Sequence, residues 1–213
     1  MYQFYFFDLD GTITDSSLGI TNSVRYALAK YGIEEPDRKK LYRFIGPPLA
    51  ESFREFYGFD GERCGEAVRY YREYYRDKGI YENQVYDGLE EVLKKLKEAG
   101  KQLVVATSKP EVFAREIIRY FHLDSYFSYV AGMELDGGRG TKAEVIEYAI
   151  RSCGAEDRRE ILMIGDRKHD VIGAREAGID CVGVLYGFGS EEELKEAGAA
   201  GIAASVEDIL KYA

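Results

Sequence analysis

Two carboxylates separated by one residue follow an aromatic stretch near the start of the chain. Residues 2–7 carry a single polar side chain and are too few for a buried helix, so they favour a central strand. The strand runs into Asp8, Leu9 and Asp10, and Gly11 then allows a turn. Alternate residues of an extended chain point the same way, so both carboxylates are expected on one side. A divalent cation would offset their repulsion, and oxygen ligands favour Mg²⁺.

Two other interpretations of these acids were weighed against a metal site. The pair could form a polar turn on the surface, or it could belong to a calcium loop. The calcium loop is disfavoured because Gly11 and Ile13, which follow the acids, offer no side-chain oxygen as a further ligand. The aromatic strand before the acids argues against an exposed turn. We therefore favour a buried strand end that holds a metal.

From residue 87 onward, short apolar strands alternate with helices. The strands predicted here span residues 102–106, 126–131, 161–164, 181–185 and 202–204. Capping boxes predict helix starts at Asp87–Glu90 and Thr141–Glu144. Strands separated by such helices pair in parallel through right-handed crossovers, and ligands bind at their carboxyl ends. The pattern predicts an α/β fold, with a Rossmann-like, three-layer core built on a parallel sheet.

A helical segment interrupts this pattern after the first strand. Its apolar residues recur with helical spacing, and no strand pattern occurs between residues 16 and 82. The helices predicted in it span residues 18–31, 37–44, 49–57 and 62–78. We therefore predict two domains: an α/β core of residues 1–15 and 83–213, and an inserted all-helical cap of residues 16–82.

Polar residues follow the predicted strands of the core. Thr107 and Ser108 end one strand, and Asp166 and Asp170 follow a later one. Lys142 opens a helix, where its positive charge interacts unfavourably with the helix dipole, so a functional role would explain its position. Taken singly, Thr107 or Asp170 could be only a helix cap, and Lys142 could be a solvated first-turn residue. Together they place several charges at one edge of the predicted sheet.

These residues occur in the order of four motifs of a known superfamily. The stretch 8–12, Asp-Leu-Asp-Gly-Thr, resembles the first motif of the haloacid dehalogenase superfamily of phosphohydrolases. Thr107 stands where that superfamily has its second motif, and Lys142 where it has its third. The acidic pair in residues 165–170 resembles the fourth. The resemblance covers the whole chain, and the helical insert falls in the gap where the superfamily carries a cap domain.

The resemblance implies a two-step chemistry for the acids. Asp8 would be the nucleophile and would form an aspartyl-phosphate. Asp10 would protonate the leaving group and then, as a base, activate water. Lys142 would neutralise Asp8 and the phosphate.

The same resemblance implies a set of binding residues. Backbone N–H groups of residues 9–11, from Leu9 to Gly11, and of Ser108 would bind phosphate oxygens together with Thr107.

Mg²⁺ is the cofactor that the resemblance implies. It would be held by Asp8, Asp10 (through its backbone carbonyl) and Asp166. Asp170 would support this site from outside, by orienting Lys142 or a metal-bound water.

The helical insert resembles the small cap of the phosphoglycolate phosphatase branch. Gly46-Pro47-Pro48-Leu49 resembles the loop with which that cap reaches the substrate, and Arg43 lies just before it. A guanidinium there would pair with a substrate carboxylate; the alternative is a solvated helix residue. Arg167 departs from the branch, which mostly has Ser or Thr there. The run 107–110, Thr-Ser-Lys-Pro, looks more like relatives described as nucleotidases.

The function expected from these motifs is hydrolysis of a small phosphate monoester of the phosphoglycolate type, with Mg²⁺. A 5'-nucleotidase acting on nucleoside monophosphates is the first alternative. A phosphomutase resembling β-phosphoglucomutase is a second. A non-enzymatic regulatory module is a third, against which the complete set of motif residues argues.

Composition limits the partners and the location of the protein. The net charge of −9, with no basic stretch to offset it, argues against a nucleic-acid partner. Three widely spaced cysteines indicate reduced thiols of a cytoplasmic protein. No signal peptide and no membrane-spanning run is found. We expect a small phosphorylated metabolite as partner, and a monomer or weak homodimer.

Overall fold

A computed structural model describes residues 1–135 and 138–213 of the chain. The described residues form two compact units. One unit contains Met1–Thr14 and Val85–Ala213, and the other contains Asp15–Gln84. The chain therefore leaves the first unit shortly after the two N-terminal acids and returns to it about 70 residues later.

The first unit is built on a six-stranded parallel sheet. The strands of the described residues are β1 (Phe4–Phe7), β2 (Thr14–Asp15), β3 (Gln84–Val85), β4 (Gln102–Pro110), β5 (Phe127–Met133), β6 (Ile161–Gly165), β7 (Asp180–Val184) and β8 (Gly201–Ala203). The sheet has the order β5-β4-β1-β6-β7-β8, and every neighbouring pair is parallel. β2 and β3 form a separate two-stranded sheet where the chain passes between the units. The predicted α/β class with a parallel sheet is confirmed.

Helices connect the strands of this sheet and make up most of the other unit. The α-helices are α1 (Ser17–Ala29), α2 (Leu49–Tyr57), α3 (Gly61–Tyr74), α4 (Leu89–Glu98), α5 (Glu111–Tyr120), α6 (Lys142–Cys153), α7 (Lys168–Glu176) and α8 (Glu191–Ala197). Shorter 3-10 helices span Arg38–Phe44, Arg158–Glu160 and Glu207–Tyr212, and a π-helical turn, Tyr75–Gly79, continues α3.

Side chains of β1 alternate between the two faces of the sheet, as the pleat requires. Phe6 belongs to the hydrophobic cluster that α6 and α7 form on one face, together with Met163 of β6. The hydroxyl of Tyr5, its neighbour, instead donates to the backbone carbonyl of Tyr212 near the C-terminus. Because both faces are covered, β1 is apolar along its whole length, which explains its continuous aromatic sequence.

Two predictions about element ends are wrong. The capping box predicted at Asp87–Glu90 is absent, because α4 begins at Leu89 after Gly88, whose φ is +79° and which makes no side-chain cap. β4 does not end before Thr107 but continues to Pro110 through an irregular register. Pro110 is therefore the last residue of β4 and directly precedes α5. Side-chain spacing alone gave no sign that the ladder with β5 continues this far.

The helical unit is held together by aromatic rings and by one close helix approach. Phe53 stacks on Phe59 with ring centroids 5.9 Å apart, and Phe44 packs edge-on against Phe53 at 5.1 Å. α1 approaches the π-helical turn so closely that a Cβ on Gly19 would lie 1.9 Å from the carbonyl oxygen of Gly79. Glycine is therefore required at this crossing.

Two further observations concern the expected location. Along residues 1–135 and 138–213, no helix combines the length and the hydrophobicity that crossing a membrane would take. Cys64, Cys153 and Cys181 are all free thiols.

Candidate active site

Asp8 and Asp10 lie at the carboxyl end of β1, in the middle of the sheet. The N–H of Asp8 continues the strand ladder by donating to the carbonyl of Ile164 at 2.9 Å. Gly11 has a φ of +86°, a left-handed conformation that suits glycine, and the chain turns there. Both carboxylates are buried, with residue exposures of 5% for Asp8 and 7% for Asp10. The acids thus occupy the buried strand end that the sequence predicts.

The turn after Asp10 uses the N–H of Gly11, one of the backbone groups assigned to phosphate from the sequence. The carbonyl of Leu9 accepts from the N–H groups of residues 12–14 at 2.9–3.3 Å, and the Leu9 side chain is fully buried. The N–H of Gly11 donates to the carbonyl of Thr14 at 2.8 Å. Phosphate binding by the Gly11 N–H, which stays a prediction, would require this bond to be exchanged.

Lys142 joins two of the acids. Its Nζ lies 2.5 Å from Oδ1 of Asp8 and 2.7 Å from Oδ1 of Asp170, and all three residues are buried. The predicted capping box of Thr141 and Glu144 is present and starts α6 at Lys142. A cation in this first turn opposes the helix dipole, and the two carboxylates supply the compensating interaction. Lys142 is therefore not a solvated first-turn residue.

The carboxylates of Asp166 and Asp170 lie near that of Asp8. Asp166 follows β6 and is fully buried, and its Oδ2 accepts from the N–H of Phe188 at 2.8 Å. α7 begins at Lys168, so Asp170 lies in its first turn. Oδ2 of Asp170 accepts from the N–H of Arg167 at 3.0 Å, so Asp170 caps the helix and also pairs with Lys142.

Three of these carboxylates could hold a cation. One oxygen each of Asp8, Asp166 and Asp170 lies within 4.8 Å of the others. Oδ1 of Asp166 is buried without a hydrogen-bond partner among the residues described. The sequence assigned Asp8, Asp166 and the backbone carbonyl of Asp10 to the metal and Asp170 to its support, whereas in the structure the carboxylate of Asp170 groups with those of Asp8 and Asp166. An all-oxygen set of this kind suits Mg²⁺.

Glycines make room for this cluster. A Cβ on Gly11 would lie 2.2 Å from Oδ2 of Asp166, and one on Gly187 would lie 2.4 Å from both the Asp166 Cβ and the Gly11 carbonyl. Gly165 meets Asp170 in the same way, at 2.3 Å. Side chains at these positions would displace the acids, so the backbone itself forms the wall of the cluster.

Burial and charge shift the pKa values of the cluster. Burial raises the pKa of Asp8 to about 6, against the lowering effect of Lys142. Burial, reinforced by Asp170 and Asp8, raises the pKa of Asp166 well above its usual range. Burial also lowers the pKa of Lys142, but Asp170 and Asp8 outweigh it and raise that pKa overall. Three acids share one ammonium here, so a further cation would relieve the excess negative charge.

Thr107 and Ser108 lie within β4 rather than after it. The hydroxyl oxygen of Thr107 is buried and accepts from the N–H of Lys109 at 3.2 Å, while Ser108 is half-buried. Lys109 is itself buried, and its Nζ lies 2.7 Å from Oδ2 of Asp10. Sequence reasoning missed this lysine. The available signal was a cation between Thr107 and a proline, directly after an apolar strand.

The loop after β7 was also missed. Residues 186–189, Tyr-Gly-Phe-Gly, supply the N–H of Phe188 to Asp166 and pack two glycines against its backbone and side chain. The Tyr186 hydroxyl donates to the carbonyl of Thr12 at 3.1 Å, which ties the loop to the turn after β1. Two glycines in alternation after a strand were the signal for a close backbone approach.

Two other residues singled out in the sequence, Arg43 and Arg167, contact neighbouring side chains. Arg43 belongs to the helical unit, where its guanidinium carbon lies 4.0 Å from the centroid of the Phe56 ring. Arg167, the departure from the phosphoglycolate branch, donates to Glu193 in the first turn of α8 at 2.9 Å. His169, beside Asp170 in the chain, is half-buried, and burial lowers its pKa.

The buried acids, the lysine that joins two of them and the Thr107 hydroxyl form a site of the kind that hydrolyses phosphate monoesters. The model of the family described as haloacid dehalogenase-like hydrolase matches residues 5–184. The chain belongs to this family. The family model and the names of similar proteins together show that the protein is a phosphatase, a hydrolase of phosphoric monoesters.

Similar proteins carry several activities in their names. A 5'-nucleotidase of Pseudomonas aeruginosa is 53% identical over 194 residues, which cover 91% of this chain and 87% of that protein. The tyrosine-protein kinase PtkA of Mycobacterium tuberculosis is 42% identical over 187 residues, 88% of this chain and 63% of that protein. Less similar relatives are named pyrophosphatase and phosphoglycolate phosphatase. Among solved structures, that of a predicted phosphatase from Clostridium acetobutylicum superimposes on this chain with a TM-score of 0.96. The two sequences are 50% identical, and the match covers 100% of this chain and 98% of that one.

Proposed function

We propose that this phosphatase hydrolyses nucleoside monophosphates, with Mg²⁺ and through a phosphorylated Asp8. The observation that carries the chemistry is the buried contact of Asp8 with Lys142, beside a second buried acid, Asp10. The substrate class rests on the 53% identity to a protein named 5'-nucleotidase. It also rests on the run Thr-Ser-Lys-Pro at residues 107–110. Phosphoglycolate, the substrate class first expected from the helical insert, becomes the second candidate.

The proposed reaction begins with attack by Asp8. A carboxylate oxygen forms a bond to phosphorus while the bond from phosphorus to the ester oxygen breaks. Asp10 gives its proton to the departing ester oxygen, and in the second step it takes a proton from the water that attacks the aspartyl-phosphate. Water thus supplies the oxygen of inorganic phosphate, and Asp8 is regenerated. Lys142 orients Asp8 throughout, because it contacts the carboxylate at 2.5 Å.

Metal binding is part of this proposal. Asp8, Asp166 and Asp170 would hold Mg²⁺ with the carbonyl of Asp10, and the unpartnered, buried Oδ1 of Asp166 supports this assignment. When bound, Mg²⁺ supplies positive charge that stabilises the phosphoryl oxygens in the transition state.

Phosphate binding would fall to the end of β4 and the turn after β1. The hydroxyl of Thr107 and the backbone of Ser108 lie beside Lys109, which contacts Asp10. Leu9 and Gly11 supply the backbone of the turn. These groups contact only the phosphoryl end of a substrate, so the rest of the molecule must be selected elsewhere. We propose the helical insert for that role, including Arg43.

Release of inorganic phosphate from a panel of esters tests the proposal. The panel contains the nucleoside 5'-monophosphates, phosphoglycolate and β-glucose 1-phosphate, each with Mg²⁺ or with excess chelator. We expect the highest kcat/KM for one or more nucleoside monophosphates, with turnover lost in chelator. A higher value for phosphoglycolate would overturn the substrate class, and full activity in chelator would overturn the metal.

The same panel separates the other reactions. A phosphomutase would return an isomeric sugar phosphate without releasing phosphate, which product analysis by nuclear magnetic resonance detects. Transfer from ATP to a tyrosine peptide would indicate the activity in the name of the mycobacterial relative. The proposal keeps a cytoplasmic location, which the three free thiols support. It also keeps a small metabolite as partner and a monomer or weak homodimer, for which sedimentation is the test.

A further inference from the structure

The two acids of the β1 end are each paired with a different lysine. Asp8 contacts Lys142, and Asp10 contacts Lys109 at 2.7 Å between Nζ and Oδ2. The Lys109 and Asp10 side chains are 5% and 10% exposed, so this ion pair is nearly as buried as the other. Burying an ammonium group costs free energy unless a carboxylate pairs with it, so a buried Lys109 indicates a specific role in the site.

The shape of β4 directs Lys109 to this position. In the ladder with β5, Thr107 faces Gly132 and Pro110 faces Met133, so two residues of β4 have no opposite partner. This irregularity bends the strand and redirects its side chains. The hydroxyl oxygen of Thr107 accepts from the N–H of Lys109 at 3.2 Å and fixes the backbone of the bulge.

The neighbouring strand is adapted to the bulge. A Cβ on Gly132 of β5 would lie 2.6 Å from the carbonyl oxygen of Lys109 and 2.6 Å from the Cα of Glu111. A larger residue at Gly132 would therefore push the bulge away. The position of Lys109 thus follows from three features of the fold: the register shift, the Thr107 hydroxyl and the missing side chain at Gly132.

The contact leaves the two oxygens of Asp10 unequal. Oδ2 is held by Lys109, whereas Oδ1 is buried and has no hydrogen-bond partner within the described part of the chain. A carboxylate held through one oxygen cannot rotate freely, so the other oxygen keeps a fixed direction. Proton transfer to a leaving group needs such a fixed direction, because its rate falls steeply with misalignment.

We propose that Lys109 is a positioning residue for Asp10, holding Oδ2 so that Oδ1 exchanges the proton with the leaving group. This inference rests on the proposed function, in which Asp10 is the general acid. It gives the lysines separate tasks: Lys142 serves the nucleophile and Lys109 serves the acid. The substrate step that depends on Lys109 is therefore protonation of the ester oxygen, and the attack of Asp8 on phosphorus does not depend on it.

The test compares two leaving groups. A nucleoside 5'-monophosphate leaves as an alkoxide that needs a proton, whereas 4-nitrophenyl phosphate leaves as a stable phenolate that does not. The quantity to measure is kcat/KM, because it ends at formation of the phosphoryl-enzyme and excludes the later water step. Lys109→Met should lower kcat/KM about 100-fold for the nucleoside monophosphate. For 4-nitrophenyl phosphate we expect a loss below about tenfold.

Control variants separate positioning from stability. Lys101→Met removes another buried lysine of the same unit, whose Nζ bonds the carbonyl of Tyr2 at 2.7 Å, and should leave the ratio of the two kcat/KM values unchanged. Lys109→Arg should restore part of the lost rate with the nucleoside monophosphate, since it keeps a donor toward Asp10. If Lys109→Met does not fold, Lys109→Gln carries the same comparison, with folding followed by circular dichroism.

A double variant shows whether the effect passes through Asp10. The combination of Asp10→Asn and Lys109→Met should be no slower than Asp10→Asn alone on the nucleoside monophosphate. Equal losses on both substrates, or additive losses in the double variant, would overturn the positioning role. A wild-type protein that releases phosphate from neither ester would overturn the proposed function instead, so the two failures are distinguishable.

Discussion

The two units of this protein bury different kinds of polar side chain. In the helical unit, whose residues 15–84 are all described, the buried polar side chains are hydroxyls only: Ser16, Thr21, Ser23 and Ser52. In the described part of the α/β unit they include four aspartates and three lysines, most of them at the carboxyl ends of β1, β4 and β6. Burying a charge costs several kcal/mol before pairing. The buried charges at one edge of the sheet are therefore explained by a chemical role at that edge. Residues 15–84 of the helical unit contain no comparable group of buried charges.

The helical unit uses its charges differently. Two of its arginines lie on the surface over aromatic rings: Arg43 over Phe56 at 4.0 Å and Arg63 over Phe59 at 4.9 Å. Such contacts stabilise an exposed face by about 0.5–1 kcal/mol each. From this difference we expect substitutions in the α/β unit to change the reaction rate, and substitutions in the helical unit to change stability or substrate preference. The predictions below test that division.

The largest effect is expected for the nucleophile. Asp8→Asn should reduce kcat by on the order of 10⁴-fold or more, because an amide does not attack phosphorus. The amide keeps the size of the side chain, so the circular dichroism spectrum should stay unchanged. Mass spectrometry of wild-type protein quenched in acid should detect a phosphorylated Asp8, which the variant lacks. Retention of more than a trace of activity would show that Asp8 is not the nucleophile.

A large effect on stability, with little effect on chemistry, is expected in the helical unit. Gly19→Ala should destabilise the protein by about 2 kcal/mol or more, because its Cβ would meet the Gly79 carbonyl oxygen at 1.9 Å. Gly65→Ala in α3, where an added Cβ meets nothing within 4 Å, should be neutral or slightly stabilising. Urea unfolding measures both. Phosphate release from 4-nitrophenyl phosphate by the folded Gly19→Ala protein should remain near that of wild type.

Replacing a buried acid should stabilise the protein rather than destabilise it, by a smaller amount that depends on pH. Asp166 has a pKa raised by burial, so its contribution to stability is present at low pH and is lost as pH rises through the folded-state pKa. Asp166→Asn has no such loss and should stabilise the metal-free protein by about 1–3 kcal/mol at pH 8, and by less at pH 5. Thermal unfolding in chelator measures this. The exposed Asp124→Asn should show no difference, and equal pH dependence in wild type and Asp166→Asn would contradict the prediction.

The smallest effect is expected at Arg43. If Arg43 binds a substrate carboxylate, Arg43→Ala should raise KM for phosphoglycolate about tenfold and hardly change it for 4-nitrophenyl phosphate. Arg63→Ala, which removes a similar contact with an aromatic ring, is the matched control and should change neither. If both variants lose only about 0.5–1 kcal/mol of stability and no affinity, the ring contacts are the whole role of Arg43.

The alternation of strands and helices could be predicted from sequence, and so could the position of Lys142. Hydrophobic spacing is local, and the capping box of Thr141 and Glu144 marks the start of α6 within four residues. The ends of β4 and α4 could not be predicted in this way. β4 extends to Pro110 because a neighbouring strand offers hydrogen bonds, and α4 starts at Leu89 because Gly88 takes a positive φ. The first depends on a partner strand that the local sequence does not contain, and the second on a backbone conformation of Gly88 that the capping pattern of Asp87 and Glu90 did not predict.

The sequence by itself indicated the class of chemistry, since its residue types are those that phosphoryl transfer needs and their order matches the four motifs of the superfamily that they resemble. Only the tertiary structure decided which charges meet. Asp8 and Lys142 are 134 residues apart in the chain and 2.5 Å apart in space. The pairing of Lys109 with Asp10 depends on a bulge in β4 and on the glycine opposite it. Such pairings stay hidden in a sequence because ion pairs form between strand ends, and the register of distant strands sets which ends are neighbours.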